Sequence, residues 1–158
     1  GHLFSYQWTD MAVWDGAVVG LQLSYPGHMA ARMGLATIRI LWRRFTLRQL
    51  IRAAWNGWEI ARLSGWIRPT DYYLAYGSVV PEVRGHRLGT EMALYGETLA
   101  RKAGCNRLVM DVFIENAAGR ICSERAGFHI EHVATSQRLL RGTGYSGVQR
   151  LVKPLEVA

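Results

Sequence analysis

The stretch Val79-Val80-Pro81-Glu82-Val83-Arg84-Gly85-His86-Arg87-Leu88-Gly89-Thr90 decides how the rest of the chain is read. Before it, Asp71 to Val80 is rich in Tyr and Val, residue types that fit a pleated strand. After it, Leu88, Met92, Tyr95 and Leu99 recur at helical spacing until Gly104 stops them. A glycine-bearing turn from strand into helix lets the backbone approach a ligand closely, and the free N–H groups of the helix N-terminus attract an anion. Backbone nests of this kind hold pyrophosphate. An isolated Arg-Gly-x-x-x-Gly string also fits a plain tight turn with an exposed arginine, so the surrounding pattern has to decide.

Downstream, Arg107 to Ile114 reads as a buried strand and residues 117 to 126 as a short helix ended by Gly127. Two further strands are expected over about 129–140 and 145–153, separated by the glycine-rich turn Arg141-Gly142-Thr143-Gly144. Upstream, residues 11 to 25 form two β-leaning stretches joined at Asp15-Gly16, a strong hairpin signal. From His28 to Trp66 there is no proline, and Leu47, Ile51, Ala54 and Trp58 recur at spacings of four, three and four, which predicts a helix with one buried face. A break near Phe45-Thr46 divides the segment into two helices with Thr46 as an N-cap.

Composition narrows the class. The 158 residues are the length of one domain, with 49% hydrophobic and 20% charged residues, which excludes a disordered or fibrous chain. No apolar run approaches the ~20 residues of a membrane-spanning helix. Gly1 and His2 read as the remnant of an expression tag, and no signal peptide follows, so a cytoplasmic location is expected. Cys105 and Cys122 match no zinc spacing; reduced thiols and no metal are expected. Residues 28 to 68 carry eight arginines against the single acid Glu59, so the net +7 of the whole chain resides in this one segment.

Past the strand ending at Ile114 comes Asn116-Ala-Ala-Gly-Arg-Ile-Cys-Ser-Glu-Arg-Ala-Gly-Phe128. Together with the loop above, this resembles the GNAT (GCN5-related N-acetyltransferase) superfamily. The family's cofactor motif reads Arg or Gln, two residues, Gly, one residue, then Gly or Ala; here Arg84, Gly85 and Gly89 are present and Arg87 stands at the usual middle glycine. Its second signature, Asn-x-x-Ala-x-x-Leu-Tyr-x-x-x-Gly-Phe, is matched at Asn116, Gly127 and Phe128, with Cys122 and Ser123 in place of Leu-Tyr.

The resemblance implies an α/β (α+β) fold: a mixed, mostly antiparallel sheet flanked by helices and splayed beside the family's fourth strand, with acetyl-CoA in the opening. On that analogy Val79 and Val80 pair with the pantetheine arm. Arg84, Gly85, His86, Arg87, Leu88, Gly89 and Thr90 hold the pyrophosphate, and Asn116 contacts the pantetheine or caps its own helix. The usual first strand and helices are missing. Residues 28–68 are then a helical insertion between the third and fourth family strands, placed over the acceptor side within the chain or across a homodimer.

Transfer to an amine requires a neutral nucleophile, a polarised carbonyl and a route for protonating the thiolate. The family takes the second from a strand N–H, here near Val80, and the third often from the tyrosine that Ser123 replaces. A serine hydroxyl is a much weaker acid than phenol; Cys122 is chemically closer but suits a small buried hydrophobe. Candidate bases are Glu82, Asp111, Tyr73, Tyr72 and His86, and Tyr72 and Tyr73 point to opposite faces of their strand. The expected activity is acetyl transfer to a primary amine of a small molecule or peptide. The alternatives are a non-catalytic CoA-binding module and a basic nucleic-acid-binding module, the latter disfavoured. An aminoglycoside acceptor is also disfavoured, since a polycation prefers an acidic cleft and the strongly charged segment is basic.

Overall fold

A computed structural model describes residues 2–156 and forms one six-stranded sheet with helices on both faces. The chain opens with the hairpin β1 (Thr9–Trp14) and β2 (Ala17–Pro26). Asp15 and Gly16 both adopt positive φ, 49° and 77°, which is why an Asp-Gly pair closes this two-residue turn. Two 18-residue helices follow, α1 (Gly27–Arg44) and α2 (Leu47–Ser64). Thr46 starts α2 with a capping box: its hydroxyl accepts from the Gln49 N–H while the Gln49 side chain accepts from the Thr46 N–H. Then come β3 (Asp71–Val79), α3 (Leu88–Lys102), β4 (Arg107–Phe113), α4 (Ala117–Arg125), β5 (His129–Thr135), α5 (Gln137–Thr143) and β6 (Gly147–Pro154).

The strand order is β1-β2-β3-β4-β6-β5, antiparallel throughout except that β3 and β4 run parallel. On one face α3 covers a core that includes Tyr72, Leu74, Leu108, Val112, Phe128 and Leu151. Leu108 and Leu151 are fully buried, and each such side chain stabilises the fold by about 1.5–3 kcal/mol. The other face carries α1 and the C-terminal part of α2, where Leu63, Leu139 and Val148 form a smaller cluster. No helix of the described residues is long and apolar enough to cross a membrane.

Two expectations are corrected. Residues 137–143 are a short helix rather than the end of a strand and a turn: the Ser136 hydroxyl caps it by accepting from Leu139 N–H, Leu139 is buried, and Gly144 ends it in the left-handed region. The stripe Leu47, Ile51, Ala54 and Trp58 is exposed rather than buried. An 18-residue helix is about 27 Å long, and only the last turns of α2, with buried Glu59, Leu63 and Ser64, lie on the sheet. Gly1, the first residue of the expected tag remnant, lies outside the described residues.

Asp71 and Arg107, opposite one another where β3 and β4 begin, form a two-pronged pair, Nε to Oδ1 at 2.8 Å and the second guanidinium nitrogen to Oδ2 at 3.1 Å. Asp71 is fully buried and also accepts the Arg68 N–H at 2.7 Å. Asp71→Ala removes the acceptor of the Arg107 Nε and of the Arg68 N–H, leaving the guanidinium only its pair with Glu131 at 2.7 Å, and is expected to lower stability by about 3 kcal/mol, whereas Thr46→Ala costs about 1 kcal/mol. Urea denaturation of the two variants side by side checks both magnitudes.

Candidate active site

The site exists because β3 and β4 stay together for only four residues. Their register runs from Asp71–Arg107 to Leu74–Met110 and then stops. At that point β3 carries a bulge: Leu74 and Tyr76 pair with consecutive residues of β2, leaving Ala75 without a partner. Beyond it β3 follows β2 while β4 follows β6, and the sheet opens.

A cleft of about 620 Å³ occupies the opening on the α3 side, lined by residues of β3, α3, β4 and α4. Strand alternation decides which backbone groups face it. The Val80 N–H donates to Val19 O at 2.8 Å and is therefore spent on β2, so the amides of Gly77 and Val79 point into the gap. Val80 is not part of the lining, which corrects its assignment as the strand donor. The Val79 carbonyl accepts from Arg84 Nε at 3.3 Å.

Between β3 and α3 the chain makes a single 3-10 turn, Pro81–Val83, and then an open loop. Among the described residues, none of the N–H groups of Gly85, His86, Arg87, Leu88 and Gly89 donates to another protein group. Five consecutive free donors at a helix N-terminus make an anion nest. Arg84, Gly85, Leu88 and Gly89 line the cleft. A Cβ on Gly89 would meet Cys122 Sγ at 3.2 Å, so this position stays bare to let α3 and α4 approach. Arg87 sits at φ 63°, a left-handed position, which explains why glycine is usual there. Thr90 is buried and donates to the Cys122 carbonyl at 3.4 Å, so it joins α3 to α4. His86 is exposed, stacked edge-on against Trp14, and Glu82 is exposed outside the cleft.

Helix α4 supplies the facing wall. Asn116 lines the cleft and caps the helix, its Oδ1 accepting from Gly119 N–H at 2.9 Å. Cys122 and Ser123 also line it. Ser123 is buried, and its hydroxyl lies within hydrogen-bond distance of the Gly119 carbonyl, at 2.8 Å, and of Met110 Sδ, at 2.9 Å. Its single proton is already engaged inside the protein.

On the opposite face a second pocket of about 250 Å³ is walled by Phe4, Tyr25, Ile60, Tyr73 and Val148 among others, mostly apolar atoms. It shares Ala75, Tyr76, Asp111 and Phe113 with the cleft, so the two cavities meet at the gap in the sheet. Tyr73 and Asp111, both sequence candidates, are brought together there: Tyr73 donates to Asp111 Oδ2 at 2.8 Å. Asp111 is held from the other side by Arg150, at 2.9 Å to Oδ1 and 2.8 Å to Oδ2. Burial, and then the Asp111 charge, push the Tyr73 hydroxyl well above the ordinary tyrosine value. Burial first, with Tyr76 and Asp111 adding to it, pushes Tyr25 up to about 12. Tyr72 faces the other side of the sheet, against Ser24 at 3.3 Å.

Sequence reasoning passed over Arg150 and Gln22. Arg150 interrupts the apolar run of β6 as Asp111 interrupts that of β4, and two opposite charges on paired inner strands are the signal. Gln22 is buried against the cleft with its amide nitrogen lacking a protein partner among the described residues. No cluster that could hold a metal ion occurs among them.

A bulged, parting sheet with a free-amide nest beside the gap defines an acetyltransferase-type fold. The chain belongs to the acetyltransferase (GNAT) family, whose model matches residues 6–128. Among solved structures it is similar to a Bacillus subtilis acetyltransferase in complex with CoA, at 13% identity and TM-score 0.61, covering 94% of this chain and 76% of that one. A nourseothricin acetyltransferase is similar at 20% identity and TM-score 0.60, covering 94% and 65%. The aminoglycoside acetyltransferase AAC(6')-Ib in complex with coenzyme A and kanamycin follows at 14% and 0.58, covering 92% and 65%. No curated protein matches the chain at significant similarity.

The left-handed backbone at Arg87 costs about 1 kcal/mol for a non-glycine residue. Arg87→Gly is therefore expected to raise stability by up to about 1 kcal/mol, read as a higher urea midpoint with an unchanged slope.

Proposed function

We propose that the chain transfers an acetyl group from acetyl-CoA to a primary amine of a small molecule or peptide by direct attack. The observation that carries the proposal is the meeting of two cavities at the parting of β3 and β4, one beside an anion nest and one lined by apolar groups. The residues fit the cosubstrate: the cleft has room for a long ligand, five free N–H groups await a pyrophosphate, and the buried Gln22 amide lacks an acceptor that a pantetheine carbonyl would supply. Arg84 and Asn116 line that cleft, Thr90 holds its α3 wall to α4, and His86 and Arg87 are exposed outside the lining.

Acetyl-CoA supplies a thioester already activated toward amines. The amine nitrogen bonds to the carbonyl carbon, the C–S bond breaks, the amine gives up a proton and the thiolate takes one. A thiol titrates near 8.5, so the sulfur leaves without a strong acid. Ser123, with its proton engaged, orders α4 against Met110 rather than delivering that proton. Tyr73, whose proton points to Asp111, turns an oxygen lone pair toward an amine N–H, and Arg150 fixes the carboxylate that orients it. The Asp111 carboxylate accepts three hydrogen bonds, so its oxygens are occupied in holding Tyr73 and Arg150. The small pocket, whose one lining carboxylate is paired, suits a compact and largely apolar amine better than a polycation.

The competing reading, CoA binding without turnover, draws on the engaged Ser123 proton. Calorimetric titration of acetyl-CoA into the protein is expected to give micromolar binding that is lost in Gly89→Trp, whose side chain collides with Cys122. Absence of binding to the unaltered protein overturns the proposal. Thiol release across a panel of small amines is expected to show turnover. Tyr73→Phe should lower kcat/KM about tenfold or more with acetyl-CoA affinity unchanged, while Ser123→Ala stays within about threefold because the thiolate leaves unaided. Since the Tyr73 phenol stays protonated well above the usual range, kcat/KM rises with pH only through the acceptor amine, and Tyr73→Phe keeps the same midpoint. Binding with no turnover of any amine assigns the chain to the non-catalytic alternative.

A further inference from the structure

The α1–α2 segment presents an apolar surface and a cationic one to solvent, with the Arg138 guanidinium 4.2 Å over the Trp55 ring. Away from the sheet, Trp42, Leu47, Ile51, Trp55 and Trp58 are each more than half exposed. On α2 the positions 47, 51, 54 and 58 share one face, opposite the buried Leu63 and near-buried Ile60. Soluble surfaces rarely show so continuous an apolar stripe unless something covers it. The same segment exposes Arg39, Arg43, Arg44, Arg48 and Arg52, and among the described residues no carboxylate lies within ion-pair distance of any of them. Arg62, paired to Glu59 at 3.1 Å, is the one helical arginine of the segment that is neutralised.

We propose that this helical pair docks on an anionic lipid surface, lying in the interface rather than crossing it. Charge decides among the candidate occupants. A second copy would set one +7 segment against another, a repulsion that a closed two-fold interface cannot avoid. A nucleic-acid duplex satisfies the arginines but leaves Leu47, Ile51 and Trp58 against water or phosphate. An anionic bilayer takes both: guanidinium groups at the headgroups, indoles at the interfacial level and the aliphatic stripe at the acyl boundary. The inference does not depend on the proposed acyl transfer.

The test is flotation of the whole chain with vesicles of phosphatidylcholine alone and with about 30 mol% phosphatidylglycerol. Binding is expected only to the anionic vesicles and is expected to weaken in high salt. Arg48→Gln with Arg52→Gln should cost about thirtyfold, near fivefold per arginine. Ile51→Asp with Trp58→Asp, both at exposed sites, should abolish flotation while the thermal transition stays in place. Equal flotation with neutral vesicles, or none with either, overturns the proposal. So does a random duplex that binds more tightly than the vesicles and ignores Ile51→Asp, or a solution dimer that Ile51→Asp splits.

Discussion

Everything of functional interest here depends on how briefly β3 and β4 are paired. Four residue pairs are bounded at one end by the buried Asp71–Arg107 bridge and at the other by the Ala75 bulge, with Asp111–Arg150 just past it. The first bridge fixes where the parallel pair begins. The second ties β4 to β6 after β3 has left, so the gap has a firm edge rather than a frayed one. Arg150 is kept charged: burial works against it, but hydrogen bonds to Asp111 and the charge behind them more than compensate. Such a pair is costly to break from one side only, which makes it a reliable marker for the edge of an opening.

The loop between β3 and α3 shows how local geometry alone can aim a row of free donors. Its donors are backbone groups, so their direction is set by φ and ψ and not by side-chain identity. That is why Arg87 can replace glycine at the cost of strain, and why Gly89 cannot readily be replaced, since Cys122 stands behind it.

Much of this was legible in the sequence, because hairpin, caps and helix-ending glycines are local signals. The Asp15-Gly16 turn, the Thr46 cap, the bounds of β3, α3, β4 and α4, and the family resemblance all rest on neighbours within a few residues. The misreadings have a different origin. Periodicity reports an apolar face but not what lies against it, so the α2 stripe reads as buried in the sequence and is exposed in the fold. Helix α5 was hidden because its cap, Ser136, sits at the end of a plausible strand. That Val80 spends its N–H on Val19 depends on strand pairing, which no local pattern encodes. The gathering of Tyr73, Asp111 and Arg150 likewise needs three strands in register; only the oddity of charges in apolar runs hinted at it.

The wall common to the two cavities has a thermodynamic consequence. Ala75, Tyr76, Asp111 and Phe113 touch both spaces, so a ligand on one side that shifts any of them alters the affinity of the other side. Linkage makes that coupling reciprocal: whatever factor the first ligand imposes on the second, the second imposes on the first. Ordered occupancy of the two spaces would then need no moving lid, only a side chain with two preferred positions at the partition.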